Sequence, residues 1–150
     1  FRLYFPETQV RAETGLGALP ADSPRGCETL MLVEDDDSVR TYLARLLEAQ
    51  GYCVLAAAQQ AEAVSIADAT AGPIDLVITD VLMPGGTGPD LVRALDQIRP
   101  GIPTLYISGY ADDSAVEHPE PFARDGHFLQ KPFTAADLMS RIRQILIRTA

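Results

Sequence analysis

From Thr29 onward, short apolar runs alternate with segments of helical period, and this alternation limits the fold more than any other feature of the chain. A strand that is apolar at successive positions has both faces covered, and a strand-helix rhythm covers them with helices packed on a parallel sheet. The first run, TLMLV, shows no alternation and ends in EDDD, as a buried strand emerging at an acidic edge does. Val39, Tyr42, Leu43, Leu46 and Leu47 then fall at i, i+3, i+4, i+7 and i+8. That spacing predicts one apolar helical stripe, with Asp36 or Asp37 as N-cap and Gly51 at the C-terminal stop.

YCVLAA reads as a second strand, followed by an alanine-rich helix from about Gln60 to Ala69. IDLVITD is a third, fully buried strand ending at Asp80, with MPGGTG as its exit loop. Leu91, Val92, Leu95 and Ile98 mark a third helix stopped by RPGIP, TLYIS is a fourth strand ending at Ser108, and HFLQ is a fifth. Pro119 and Pro121 limit any helix between these last two strands to a turn or two near residues 112–117. Thr134 is expected to cap the last helix, with Asp137 in a capping-box position and Leu138, Ile142, Ile145 and Leu146 facing inward.

With 150 residues the chain can bury one sizeable core. FRLYFP reads as a short strand ended by Pro6, and the glycines and prolines after it make residues 1–27 a strand remnant plus linker, leaving 28–150 as the folded domain. No apolar run approaches the roughly 18 to 20 residues that cross a bilayer, so a soluble protein without direct membrane contact is expected. A net charge of -9 repels phosphate backbones and argues against nucleic acid as a partner. Cys27 and Cys53 lack metal or redox spacing and read as reduced thiols of a cytosolic protein. His118 and His127 have no metal-ligand company and read as surface or packing residues.

In an open parallel sheet, ligands bind beyond the carboxyl ends of the strands, so the residues at strand ends carry the chemistry. Here they are Glu34 and Asp35, Asp80, Ser108 and Lys131. If their strands are neighbours, three carboxylates, a hydroxyl and an ammonium converge. Like charges that close need a compensating cation, and an oxygen-only donor set favours Mg2+. A carboxylate beside Mg2+ can attack phosphorus to give an aspartyl phosphate, and the charge on the transferring group then needs a positive partner. Lys131 is the only lysine against eleven arginines, and a compact ammonium serves as a point charge where a planar guanidinium is larger and fixed. Pro132 lowers the cost of a cis bond after Lys131, and a tight turn there is expected to aim the lysine into the pocket.

LVEDDDSVR, VITDVLMPGGTG, YISGY and FLQKPF, in this order and spacing, resemble the receiver domain of two-component response regulators over roughly residues 28–148. The resemblance implies an α/β fold with a five-stranded parallel sheet of order 2-1-3-4-5 and helices on both faces. It implies that Asp80 accepts a phosphoryl group from phosphohistidine, and that Glu34 and Asp35 hold Mg2+ with the Leu82 carbonyl completing the protein ligands. Ser108 would then bond a phosphoryl oxygen, Lys131 would pair with the phosphoryl group or with Asp80, and Phe128 matches the family's switch aromatic. On this reading the chain is no enzyme beyond its own phosphorylation and dephosphorylation.

Three departures matter. Glu34 replaces the commoner aspartate, which is compatible with a metal bridged through water. Leu82 and Tyr110 stand at positions that modulate loss of the phosphoryl group, and their bulk predicts a long-lived phosphoryl form. The proline-broken fourth helix departs from the family's usual output surface, so a monomer is expected. FRLYFP resembles the last strand of a histidine kinase ATP-binding domain, and kinase tail, linker and receiver is the order of hybrid histidine kinases. The expected partners are therefore a histidine kinase or a histidine phosphotransfer protein, with no DNA-binding domain following. Two alternatives stand beside this reading. A phosphohydrolase of the haloacid dehalogenase kind needs a second acid where Leu82 stands, and a docking-only receiver would lack the acceptor, the metal pair or the lysine.

Overall fold

The computed structural model describes residues 27–109 and 126–149. β1 (Thr29–Val33) shows why its run has no alternation: Leu30 and Leu32 enter one apolar cluster while Met31 and Val33 enter another on the opposite face. The elements that follow are α1 (Asp37–Ala49), β2 (Cys53–Ala57), α2 (Gln60–Ala69), β3 (Leu76–Asp80), β4 (Leu82–Met83), β5 (Gly86–Thr87), α3 (Gly88–Ile98), β6 (Thr104–Ser108), β7 (Gly126–Gln130) and α4 (Ala135–Thr149). The main sheet runs β2-β1-β3-β6-β7 with every neighbouring pair parallel. Setting aside the two-residue strands β4 and β5, this is the expected order 2-1-3-4-5.

The sheet divides the core in two. On one face Leu43 and Leu47 of α1 and Leu138 and Ile142 of α4 pack with Leu30, Ile78 and Leu105. On the other, Ala63 and Ala67 of α2 and Leu91 and Leu95 of α3 pack with Met31 and Val77. Burying such side chains contributes roughly 1.5–3 kcal/mol each for the large aliphatic ones, which holds the helices against both faces of the sheet. The connection leaving β1 therefore goes to one face and that leaving β3 to the other, so their carboxyl ends border a cleft.

Local chemistry sets the helix starts. Asp36 accepts hydrogen bonds from the amides of Ser38 and Val39 at 2.8 and 3.0 Å, making it the N-cap of α1. Thr87 and Asp90 form a reciprocal capping box at α3, and Thr134 with Asp137 forms another at α4. Gly51, with φ 95°, adopts the left-handed conformation that ends α1, as its position predicts. Arg99 reaches the carbonyls of Ala67, Thr70 and Gly72, tying the end of α3 to the end of α2.

Two expectations are corrected. Tyr42 is 61% exposed and Val39 36%, so the inward stripe of α1 is narrower and rests on Leu43, Leu46 and Leu47. The exit loop after β3 is not plain loop: β4 and β5 pair antiparallel within it. Cys27 and Cys53, the latter on the edge strand β2, are both free and exposed. The expected strand at residues 1–6, the linker to residue 26, the short helix at 112–117, Tyr110 and His118 lie outside the described residues. Among the described residues no helix is long and apolar enough to cross a membrane.

Candidate functional site

Parallel strands in register bring their ends to one rim. Asp80 closes β3 opposite Ile107, and the next amide, Val81 N–H, donates to the Ile107 carbonyl at 3.0 Å, so the acceptor candidate is anchored to β6. Glu34 follows β1 directly, and its amide continues the ladder to the Ala57 carbonyl at 3.2 Å. Lys131 follows β7, with its amide donating to the Ser108 carbonyl at 2.8 Å. The Lys131–Pro132 bond is cis, as the sequence led us to expect.

The side chains meet. One carboxylate oxygen each from Glu34, Asp35 and Asp80 lie within 4.8 Å of one another. Lys131 Nζ donates to Asp80 Oδ2 at 3.1 Å and lies 3.7 Å from Glu34 Oε2. Glu34 is buried, Asp80 half-buried and Asp35 exposed, so the cluster runs from the interior to solvent. Ser108 is buried at the end of β6, beside these strands. Leu82 stands in β4, two residues beyond Asp80, with its side chain 55% exposed. Phe128 is half-buried and stacks on Tyr106, ring centroids 5.4 Å apart.

Burial pushes the Glu34 carboxyl above its ordinary 4.5; the Asp36 amide and the Lys131 charge oppose the shift, the Asp80 and Asp35 charges add to it, and the net direction is up. For Lys131, burial alone would lower the pKa. The hydrogen bond to Asp80 and the charges of Asp80, Glu34 and Asp35 outweigh it and hold the ammonium above its ordinary 10.5. This rim thus concentrates negative charge around one cation, and three oxygen donors without sulfur or imidazole fit a hard divalent ion of the Mg2+ type.

A doubly wound parallel sheet with a carboxylate cluster and an ammonium at its switch point defines a site suited to holding a cation beside an anion. The family follows from comparison. The model of the response regulator receiver domain matches residues 30–143, and the chain belongs to that family. It is 39% identical over 121 residues to the sensor kinase CckA of Brucella abortus (strain 2308), covering 81% of this chain and 13% of that protein. The response regulator receiver protein CpdR of the same strain is 34% identical over 119 residues, covering 79% of this chain and 96% of that one. The crystal structure of the receiver domain from hybrid histidine kinase CckA superposes with TM-score 0.65 at 39% identity, covering 79% of this chain and 98% of that one. The chain is therefore a receiver domain of two-component signalling, a signalling domain and not a classical enzyme, and the phosphohydrolase alternative is not favoured.

All the side chains expected at the rim lie at strand ends bordering it. Three neighbours escaped the sequence reading. Arg40 donates to the Glu34 carbonyl at 2.8 Å and pairs with Asp37, so it ties the acidic turn to the start of α1. Tyr106 is the partner of Phe128, and the signal was available: with Ser108 opposite Gln130, stepping two residues back along both strands puts the two rings on one face. Gly88 packs against the Asp80 carbonyl, which only coordinates reveal.

Proposed function

We propose that Asp80 is the phosphoacceptor, that Glu34, Asp35 and Asp80 with the Leu82 carbonyl hold Mg2+, and that Lys131 and Ser108 receive the phosphoryl oxygens. The observation that carries this reading is the 3.1 Å contact of the only lysine with Asp80, beside a carboxylate cluster on the same rim. An Asp80 carboxylate oxygen attacks the phosphorus of a phosphohistidine; the new P–O bond forms as the P–N bond breaks, and the imidazole leaves with the electron pair. A bound Mg2+ supplies charge neutralisation for the phosphoryl oxygens. Lys131 turns from Asp80 to the transferred group, and its raised pKa keeps it charged throughout the neutral range. Ser108 is drawn toward the new oxygens, and Phe128 follows inward along Tyr106.

The likeness to CckA supports placing the chain as the C-terminal receiver of a hybrid histidine kinase, with residues 1–27 as kinase remnant and linker and 28–150 as receiver. Its partners are then that kinase or a histidine phosphotransfer protein, in the cytoplasm, with the receiver acting as a monomer. Intact mass after incubation with a small acyl phosphate donor and Mg2+ tests the central assignment. Wild type gains one phosphoryl group and Asp80→Asn gains none. Equal labelling of both, or turnover of the donor without an adduct, would contradict it.

A further inference from the structure

We propose that Gly88 is a positioning residue for phosphoryl transfer: by lacking a side chain it lets the start of α3 rest against the acceptor's own carbonyl and thereby sets where the Asp80 carboxylate stands. The proposal rests on Asp80 being the acceptor. Gly88 is buried, and its amide donates to the Val81 carbonyl at 2.9 Å, closing the loop that leaves β3. A Cβ at this position would lie 2.7 Å from the Asp80 carbonyl oxygen, and 3.0 and 3.1 Å from Cε1 and Cδ1 of Tyr106.

Neither neighbour yields freely. The Asp80 peptide is held from the far side by the Val81 amide on the Ile107 carbonyl at 3.0 Å, and Tyr106 is 2% exposed and stacked on Phe128. A methyl group at 88 must therefore displace the backbone that carries the acceptor, or the ring that seats the switch aromatic. Either shift reaches the chemistry. The carboxylate of Asp80 has to stay 3.1 Å from Lys131 and within 4.8 Å of its two acidic neighbours, a geometry that tolerates little movement. The requirement is steric, because the left-handed backbone is found at Gly51, Gly85 and Gly101 and not at Gly88.

The test compares wild type with Gly88→Ala, alone and combined with Tyr106→Leu. The second change removes the ring atoms beside the new methyl and leaves the carbonyl contact, so the question stays answerable if the single variant does not fold. Labelling by acetyl phosphate and Mg2+ is followed by intact mass, Mg2+ titration by the amide signals of residues 80 and 81, and folding by thermal melts. Misplacement of a reacting group by about 1 Å costs on the order of a hundredfold, so a smaller shift here is expected to slow labelling about tenfold or more and to raise the Mg2+ midpoint. A merely structural role would lower the melting temperature without slowing a chain that is fully folded at the assay temperature. Labelling of a folded variant at the wild-type rate would overturn the proposal, as would failure of both variants to fold. A wild type that labels no more than Asp80→Asn would instead overturn the acceptor assignment and the proposal with it, an outcome distinct from failure of the proposal alone, in which wild type labels and the folded Gly88 variants label equally.

Discussion

Glu34 carries its charge where burial disfavours it, and this has a measurable sign. Its folded pKa is raised above 4.5, so the folded chain binds this proton more tightly than the unfolded one. The contribution to stability is then largest at low pH and declines as pH rises from the unfolded value through the folded one. In metal-free buffer Glu34→Gln is expected to melt higher than wild type at pH 7 and to lack that decline; thermal melts from pH 4 to 8 check it, and a variant less stable at pH 7 would contradict it. Lys131 has the same sign in a different window: its pKa is also raised, so its contribution is complete below the ordinary 10.5 and is lost only as pH rises through the folded value. Leu82 tests the lifetime of the phosphoryl form. Its side chain is 55% exposed two residues beyond Asp80, and apolar bulk there is expected to restrict an attacking water. Leu82→Asn is expected to speed acyl phosphate loss, and an unchanged or slower decay would count against the idea.

At the scale of elements, α4 shows how burial separates two isoleucines of one helix. Ile142 is fully buried against the sheet and Ile147 is 74% exposed. Ile142→Ala is expected to cost about 2–5 kcal/mol of unfolding free energy, and Ile147→Ala no more than about 0.5, by urea denaturation. Comparable losses would mean that α4 does not pack as described. The inward residues of α4 were legible because their spacing is helical and every partner is apolar. The stripe of α1 was read too wide, since Val39 and Tyr42 share its period but lie at its exposed margin, and periodicity sets the direction of a face and not its width. The pairing of β4 with β5 escaped because strands of two residues are too short to carry any periodicity. Arg99 escaped because the carbonyls it binds lie 27 to 32 residues away, with no local pattern to announce them.

For the molecule as a whole, the strand order came with the family resemblance and the shared rim followed from it, because a doubly wound sheet turns the last residues of separate strands into neighbours. Glu34, Asp80, Ser108 and Lys131 are far apart in the chain and meet only through that topology. What sequence could not supply is the packing behind the rim: the glycine against the Asp80 carbonyl, and the Tyr106 ring stacked on Phe128. The account stands on one chemical event at one residue. After incubation with a phosphorylated histidine donor and Mg2+, borohydride reduction of the acyl phosphate and peptide mass mapping are predicted to find homoserine at position 80 alone. A phosphoryl group on a histidine or on another carboxylate, or no modification with a donor that remains competent, would contradict it.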